Sequence, residues 1–596
     1  MSVAFASQMP ALARKPRALR CDAPIVALGA ALVLAFPFAG SADSGGQAAP
    51  RSILDLQPLR QASVMAVSGA AGRQGSATLI NLNPGINAWF VLRLDWTGPA
   101  ETVSYHLENV DPAHTRLSLL NSNANAIHLD SGGQQVDCPL WSDGAASVLE
   151  SARHTGLPYA PVCNGRLYVR NRVLGAYTSM ERATNFLRDH VWEGDQIVTF
   201  VRKRFYQDSF VEQGAATGSA AVSATPDAAA PLPAGIAEPS TEAAITTTHL
   251  GIDVVSPGAG IALGQWYPIR DSRGVFLSAI KSGSITMAIL GSFPNSVARL
   301  DPIEASAVDY LVAFDLSQLE LGFTLGTDHP RMGWSRRARE EMRDATLPGP
   351  DGIDSSAPLV RSGMVSPALL DRTVATFAGG YKREHGAFRY GPLALRNHGS
   401  HYGFMEEGIV FSSLEPGLAT LYVLNDGTVG MRTWSADDTH LAERLRYARQ
   451  NGVPLLERAP DGRGTVPGKL VAQWGAGNWS GSADERLRTL RAGVCLQQSA
   501  TRRFLIYGYF STATPAAMVR VFQAYGCEYA MHLDMNALEH TYLAVYTRTA
   551  GRLVVQHLVD GMSEIDRKGP GGAAPRFLGF PDDRDFFYLV RRESGP

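Results

Sequence analysis

The most direct chemistry in this sequence lies where an apolar strand runs into an acid. Residues 527–533 read CEYAMHL, a buried strand, and Asp534 follows at its carboxyl end. Glu539 and His540 come soon after. A carboxylate near an imidazole can move a proton at neutral pH, so Asp534 and His540 are candidate catalytic groups. Each has a plainer reading: aspartate caps turns, and loop histidines commonly face solvent. Asn536 can hydrogen-bond a ligand or close the same turn. A second polar stretch, 382–401 (KREHGAFRYGPLALRNHGSH), is dense in basic groups. His385, Arg389, His398 and His401 in it are candidates to line a cleft opposite Asp534. His398 and His401 have no third ligand at a recognised spacing, so no metal and no other cofactor is expected. Trp474 and Trp479, in the loop QWGAGNW, offer flat faces for stacking on a ligand, or plug the loop.

These residues need elements to hold them. Residues 493–498 and 504–509 look like paired strands, and Thr514-Pro515 is an N-cap with proline at the first helical position. Val519, Phe522 and Tyr525 give that helix an apolar face, and Gly526 closes it. Strand, crossover helix and strand predict a parallel pair, with ligands beyond the carboxyl ends. Upstream, 310–316 and 372–377 read as strands, the second ending in Gly379-Gly380, and 334–343 reads as a helix. Residues 418–424 and 428–434 form a hairpin about Asn425-Asp426-Gly427. Ser435 caps an expected helix with Leu441, Leu445 and Ala448 on one stripe.

The N-terminal part is richer in strand signals. Residues 77–80, 88–94 and 103–107 are short β-prone runs between Asn-Pro-Gly and Thr-Gly-Pro turns. Thr178 and Glu181 have capping-box spacing, opening a helix with Met180, Ala183, Phe186, Leu187 and Val191 on one face; 196–205 looks like a closing strand. The expected class is α+β. A mixed β-sheet with packed helices forms the C-terminal domain, 247–596, preceded by a β-rich α+β domain, 61–212, of unassigned role. The Ala/Pro/Ser-rich stretch 213–246 is the linker between them.

Length supports that division, since 596 residues exceed the roughly 250–300 at which single cores stop growing. A net charge of −2 supplies no basic field for nucleic acid, so nucleic-acid binding is set aside. Arginines outnumber lysines 48 to 6 among the 54 cations, which favours planar forks that fit carboxylates and phosphates.

Arg14, Lys15, Arg17 and Arg20 precede the apolar run 23–40, and small residues follow it. That order reads as a secretory signal over 1–42, either cleaved or retained as a membrane anchor, followed by a polar tether at 43–60. The expected location is periplasmic or secreted, and the apolar run is the only expected membrane attachment. Cys21 lies before it. Cys138, Cys163, Cys495 and Cys527 allow three pairings; their grouping favours Cys138–Cys163 and Cys495–Cys527, with four buried free thiols as the alternative.

Across about 300–565 the residues carry a resemblance. A strand ends in Ala378-Gly379-Gly380-Tyr381, then come Gly403-Phe404-Met405-Glu406-Glu407-Gly408, the Asp426-Gly427 hairpin, an arginine-led strand at 488–494, and Leu533-Asp534-Met535-Asn536. This order resembles the phosphodiester glycosidase domain, the domain of the mannose-6-phosphate uncovering enzyme and of bacterial secreted homologues. Ala378 and Tyr381 stand where that family has asparagine and phenylalanine, and Met535-Asn536 where it has glycines.

The resemblance implies an exported hydrolase that cuts between an anomeric carbon and a phosphate oxygen, or a related glycosidic linkage. Such chemistry needs a cation to hold phosphate, a carboxylate to stabilise oxocarbenium charge or activate water, and a dry cleft. Asp534 then supplies the carboxylate and Arg488 or Arg491 the cation, with an exposed ion pair as the plainer role for either arginine. Gly379, Gly380, Lys382, His385, His398, His401, Asn536, Trp474 and Trp479 would bind the glycan or sugar-phosphate substrate. The alternative is a non-catalytic protein on the same fold that binds envelope or exported polysaccharide.

Overall fold

The computed structural model describes residues 52–68, 73–98, 102–119, 125–141, 147–178, 181–182, 209–216, 230–237, 245–247, 249–256, 260–328, 331–335, 338–386, 388, 393–394, 403–471, 487–569 and 572–593. The described residues are 42% strand and 14% helix. That corrects the expected α+β class with packed helices to a β-rich fold with few helices. The ladders between named strands are antiparallel throughout the described residues.

Two expected helices are replaced, the second for a visible reason. Among the described residues of 334–343, only the one-turn segment Glu340–Met342 is helical, and it is 3-10. Downstream of Ser435, a 3-10 turn and the short helix Thr439–Ala442 give way to the strand Leu445–Gln450. Leu445, Tyr447 and Ala448 are buried there between strands 404–406 and 419–424. Tertiary pairing thus overrides a stripe that also fitted helical spacing. The hairpin about Asn425-Asp426-Gly427 forms as its turn chemistry requires, with Ala419–Leu424 against Val429–Thr433 and Gly427 at φ 80°.

The central eight-stranded sheet runs, edge to edge, through 267–268, 275–281, 308–315, 503–513, 489–498, 529–535, 454–458 and 465–467. The helix Pro515–Ala524 packs on it, capped by Thr514 Oγ1, which accepts from Ala517 N at 3.2 Å. Strands 503–513 and 529–535, which this helix joins, run in the same direction but are not neighbours. Strand 489–498 lies between them and pairs antiparallel with both. A five-stranded sheet, ordered 319–324, 586–591, 373–378, 543–549 and 552–557, shares the main core with it through Phe314, Phe377, Tyr507 and Phe587.

The N-terminal part forms a six-stranded sheet, ordered 61–68, 74–81, 89–96, 103–109, 167–170 and 159–162, and a three-stranded sheet over 115–139. Phe90, Leu92, Leu107, Ile127, Leu129 and Trp141 fill the core they share. The other side of the larger sheet joins the main core: Trp89 sits edge-on to Phe411 at 6.3 Å. Tyr159 Oη also lies 2.6 Å from Ser362 Oγ, and Arg170 donates to Val360 O at 3.2 Å. Residues 230–237, within the expected linker, dock as well. Leu232 O accepts from Trp266 Nε1 at 2.8 Å and from Gln497 Nε2 at 3.1 Å. Ile53, within the expected tether, is fully buried. Pro50–Pro596 is one compact unit.

Cys138 pairs with Cys163, Cα to Cα 5.7 Å, and Cys495 with Cys527, 5.9 Å. These are the two bridges that the grouping of the cysteines favours. Among the described residues no helix is long and apolar enough to cross a membrane. The apolar run 23–40, the helix expected from Thr178 beyond residue 182, and the strand expected at 196–205 lie outside the described residues.

Candidate functional site

Asp534 is the next-to-last residue of the strand Tyr529–Met535. Asn536 ends that strand in the left-handed region, φ 81°, and its side-chain oxygen accepts from Thr489 Oγ1 at 3.0 Å. Asn536 thereby takes the turn role. The Asp534 carboxylate is held at both oxygens: Oδ1 accepts from Met535 N at 2.8 Å and Oδ2 from Arg584 Nη1 at 2.8 Å. Burial pushes this carboxyl up to about 6, against the opposing pull of Arg584 and the Met535 amide. Asp534 is 7% exposed, and residues 536–540 form a half-buried rim beside it.

Arg584 is the hub. Its three nitrogens reach Asp534, His540 Nε2 at 2.7 Å, and Glu181 Oε1 at 2.6 Å. His540 Nδ1 lies 2.8 Å from Met535 O. That pattern assigns the proton to Nδ1 and leaves Nε2 as the acceptor for Arg584. Burial and the Arg584 charge hold the imidazole well below its usual range, so His540 is neutral with both ring nitrogens engaged.

Glu181 arrives from far upstream. Thr178 and Glu181 cap one another reciprocally, Thr178 N to Glu181 Oε2 at 3.0 Å and Glu181 N to Thr178 Oγ1 at 3.0 Å, as their spacing predicts. Residues 175–178 lie along 582–583: Ala176 N donates to Pro581 O at 2.9 Å, and a Cβ on Gly175 would fall 2.6 Å from Asp582 C. Tyr177 Oη donates to Asp328 Oδ2 at 2.7 Å, and its ring lies 5.6 Å from Lys382 Nζ.

Lys382 leads on to the glycine turn. It donates to Asp583 Oδ2 at 3.1 Å, inside the core. Burial raises the Asp583 carboxyl against the pull of Lys382, and its Oδ1 has no hydrogen-bond partner among the described residues. Gly379 N donates to Asp585 O at 2.9 Å, and a Cβ there would sit 2.5 Å from Asp585 Oδ2. Gly380 has φ 135° and a Cβ there would meet Asn451 Oδ1 at 2.8 Å. Arg449 ties this turn to Asp585 at 2.8 Å and to Tyr381 O at 2.7 Å. Asn451 Nδ2 donates to Leu533 O at 2.7 Å, one residue before Asp534. The two glycines therefore permit the backbone approach that links the turn to the carboxylate strand.

Asp534, His540, Gly379, Gly380 and Lys382 thus belong to one connected network, Asn536 adjoins it in the turn after Met535, and His385 follows Lys382 in the one-turn helix Arg383–Gly386. The two candidate arginines turn elsewhere. Arg491 is fully buried and donates to Ala513 O at 2.7 Å and Leu487 O at 2.9 Å, with Met535 Sδ 3.1 Å away. Arg488 pairs with Asp301, the N-cap of the helix Pro302–Ser306. Arg389, His398, His401, Trp474 and Trp479 lie outside the described residues.

Sequence reading missed Arg584 and Arg576, and read Glu181 as a cap without its link to Arg584. The signal for Arg584 was the run Asp582-Asp583-Arg584-Asp585 between Phe580-Pro581 and Phe586-Phe587. A run of four charges reads as a solvated turn, yet none of the four is more than 4% exposed. Arg576 clamps Asp582 with two bonds, 2.8 and 2.9 Å, and donates to Glu539 O at 2.6 Å.

No family model matches the chain, and no curated protein matches it. Among solved structures, it is similar to a hypothetical protein from Synechocystis at 8% identity and TM-score 0.26, covering 88% of this chain and 98% of that one. It is also similar to a "Putative exported protein" from Burkholderia pseudomallei at 12% identity and TM-score 0.20, covering 91% of this chain and 99% of that one. At these TM-scores neither likeness carries an argument about this chain.

Proposed function

We propose that the chain is an exported glycan-acting hydrolase that cleaves a sugar–phosphate or related glycosidic bond, with Asp534 as its working carboxylate. One observation carries the reading. Asp534 is raised to about 6, sits at the tip of a core strand, and is aimed by Arg584 and the Met535 amide beneath a half-buried rim. A carboxylate in that range serves as a base near neutral pH. In the proposed step Asp534 takes a proton from water as the water oxygen bonds to the anomeric carbon. The carbon–oxygen bond to phosphate breaks, and its electron pair leaves on the phosphate monoester. Arg584 and His540 are positioning residues, since each is engaged within the network. Two disulfides support export, because such bridges persist in oxidising compartments.

The test is release of the aryl phosphate from an aryl glycosyl phosphate by purified protein and by Asp534→Asn. Turnover that disappears in the variant supports the assignment; full turnover in the variant removes it. The second reading, a non-catalytic polysaccharide binder, is favoured by the 7% exposure of Asp534. Polysaccharide binding without any release from the aryl substrate would select it.

A further inference from the structure

Three buried charged residues meet at the seam where the six-stranded N-terminal sheet joins the main core. Glu108 and Arg170 come from the paired strands 103–109 and 167–170, and Glu406 ends the strand Phe404–Glu406 across the seam. Arg170 Nη1 lies 2.5 Å from Glu108 Oε2, and Arg170 Nη2 lies 4.0 Å from Glu406 Oε1. One guanidinium therefore faces two carboxyl groups away from water. Arg170 also donates to Val360 O at 3.2 Å, and its guanidinium lies 3.8 Å from the centre of the Trp89 ring. A single cation thus ties the sheet to two segments on the other side.

The two acids are not equivalent. Besides Arg170, Glu108 accepts from Trp89 Nε1 at 3.2 Å and from Ser366 Oγ at 2.5 Å. Glu406 accepts from the backbone, Leu325 N to Oε2 at 3.0 Å. Donors favour an ionised carboxylate, so Glu108 holds the charge that Arg170 neutralises. A second negative charge on Glu406 would lie uncompensated in the seam. Burial raises the Glu406 carboxyl to about 8 against the pull of Arg170, and the charges of Glu407 and Glu108 push the same way as burial.

The other titratable groups around Glu406 are engaged or neutral. Glu407 is clamped by Arg446 at 2.8 and 3.1 Å and accepts from Tyr447 Oη. Arg449, on the adjacent strand 445–450, pairs with Asp585 at 2.8 Å. Burial holds the phenols of Tyr159, Tyr447 and Tyr588 above their usual range and His106 well below its own, so these four carry no charge near neutral pH.

We infer that Glu108, Arg170 and Glu406 form a proton-controlled clasp, closed while Glu406 is protonated, that fastens the N-terminal sheet across the seam. The inference goes beyond the glycan reading and stands without it. Opening the seam returns Glu406 to water and to its ordinary value of 4.5, where it releases its proton. The closed seam is therefore firmest in acid, and its advantage falls as pH rises toward 8, by up to about tenfold in the opening equilibrium per pH unit. Strand 167–170 leads on to the 175–182 segment that brings Glu181 to Arg584, so the clasp also anchors the start of that segment.

Hydrogen exchange of the full chain tests this, read by mass spectrometry on peptides covering 103–109, 159–170 and 404–412 and corrected for the intrinsic pH dependence of exchange. Between about pH 5.5 and 7.5 the opening equilibrium of the native seam is expected to rise roughly tenfold or more. In Glu406→Gln, which keeps the shape but has no proton to release, it should change less than about twofold. The infrared difference spectrum at neutral pH should show a protonated carboxyl in the native chain that this variant lacks. Glu108→Gln is the second variant: the single acid left beside Arg170 ionises, so the pH slope should vanish there too. A native seam whose opening does not change with pH, or equal slopes in the native chain and both variants, overturns the proposal.

Discussion

Arg584 and Asp534 meet at 2.8 Å, although 50 residues separate them in the chain, and the same guanidinium also reaches His540 and Glu181. One cation thus fixes the carboxylate, selects the imidazole tautomer and anchors an acid from the N-terminal part. This arrangement sets the behaviour of each partner.

Asp534 should control a pH limb. Its folded value, about 6, lies above the ordinary aspartate value of 3.8, so the protonated form is favoured in the fold. A group of this kind contributes stability below its unfolded value and loses it as pH rises through the folded one. Between about pH 4 and 6 the native chain should lose roughly 3 kcal/mol relative to Asp534→Asn, which carries no such titration. Urea unfolding of both proteins across that window measures it; parallel curves would refute the shift. Any hydrolytic activity should rise through about pH 6 as the carboxylate ionises, and vanish in the variant.

Glu181→Gln should break the hub. Burial would raise this carboxyl, but Arg584 and Arg576 draw it well below its usual range. Its contribution is therefore present above the unfolded value and lost as pH falls. Removing its charge leaves Arg584 buried with one carboxylate fewer, at a cost of about 3–5 kcal/mol. Denaturant midpoints at pH 7 check this, and a change within 0.5 kcal/mol would contradict the assigned geometry.

How much of this was legible in the sequence depends on the range of the contacts. Turn and cap chemistry acts locally, so the Asn425-Asp426-Gly427 hairpin, the Thr514-Pro515 cap and the Thr178–Glu181 box could be read directly. Asp534 at a strand end was readable for the same reason. Its partners were not, because Arg584 and Glu181 reach it through the tertiary fold, and a run such as 582–585 looks like surface until its surroundings are known. The helix expected after Ser435 failed for a related cause: Leu445 and Ala448 fit two periodicities, and the neighbouring strands chose between them.

Reduction should weaken the fold measurably. Cys138–Cys163 and Cys495–Cys527 close loops with sequence separations of 25 and 32. Loop-closure entropy assigns each about 3.5 kcal/mol. Paired alanine replacements, followed by urea unfolding, should show losses of this size; no loss would mean that the bridges do not form in solution.

Gly175→Ala should displace the segment that carries Glu181. The added Cβ would lie 2.1 Å from Thr327 Oγ1 and 2.6 Å from the Asp582 and Asp583 backbone. The hydroxyl can rotate away but the backbone cannot, so a cost of about 1–3 kcal/mol is expected. Thermal unfolding of the variant reads it, and an unchanged midpoint would argue against the close approach.

Because a strap from the first third of the polypeptide supplies an acid to a centre built by the last third, neither portion owns that centre. A fragment confined to the later residues would leave Arg584 facing Asp534 without its counterweight, and added pieces would have to find each other before the carboxylate settled. Excision or grafting of the C-terminal sheets should therefore carry the scaffold across without carrying its electrostatic poise.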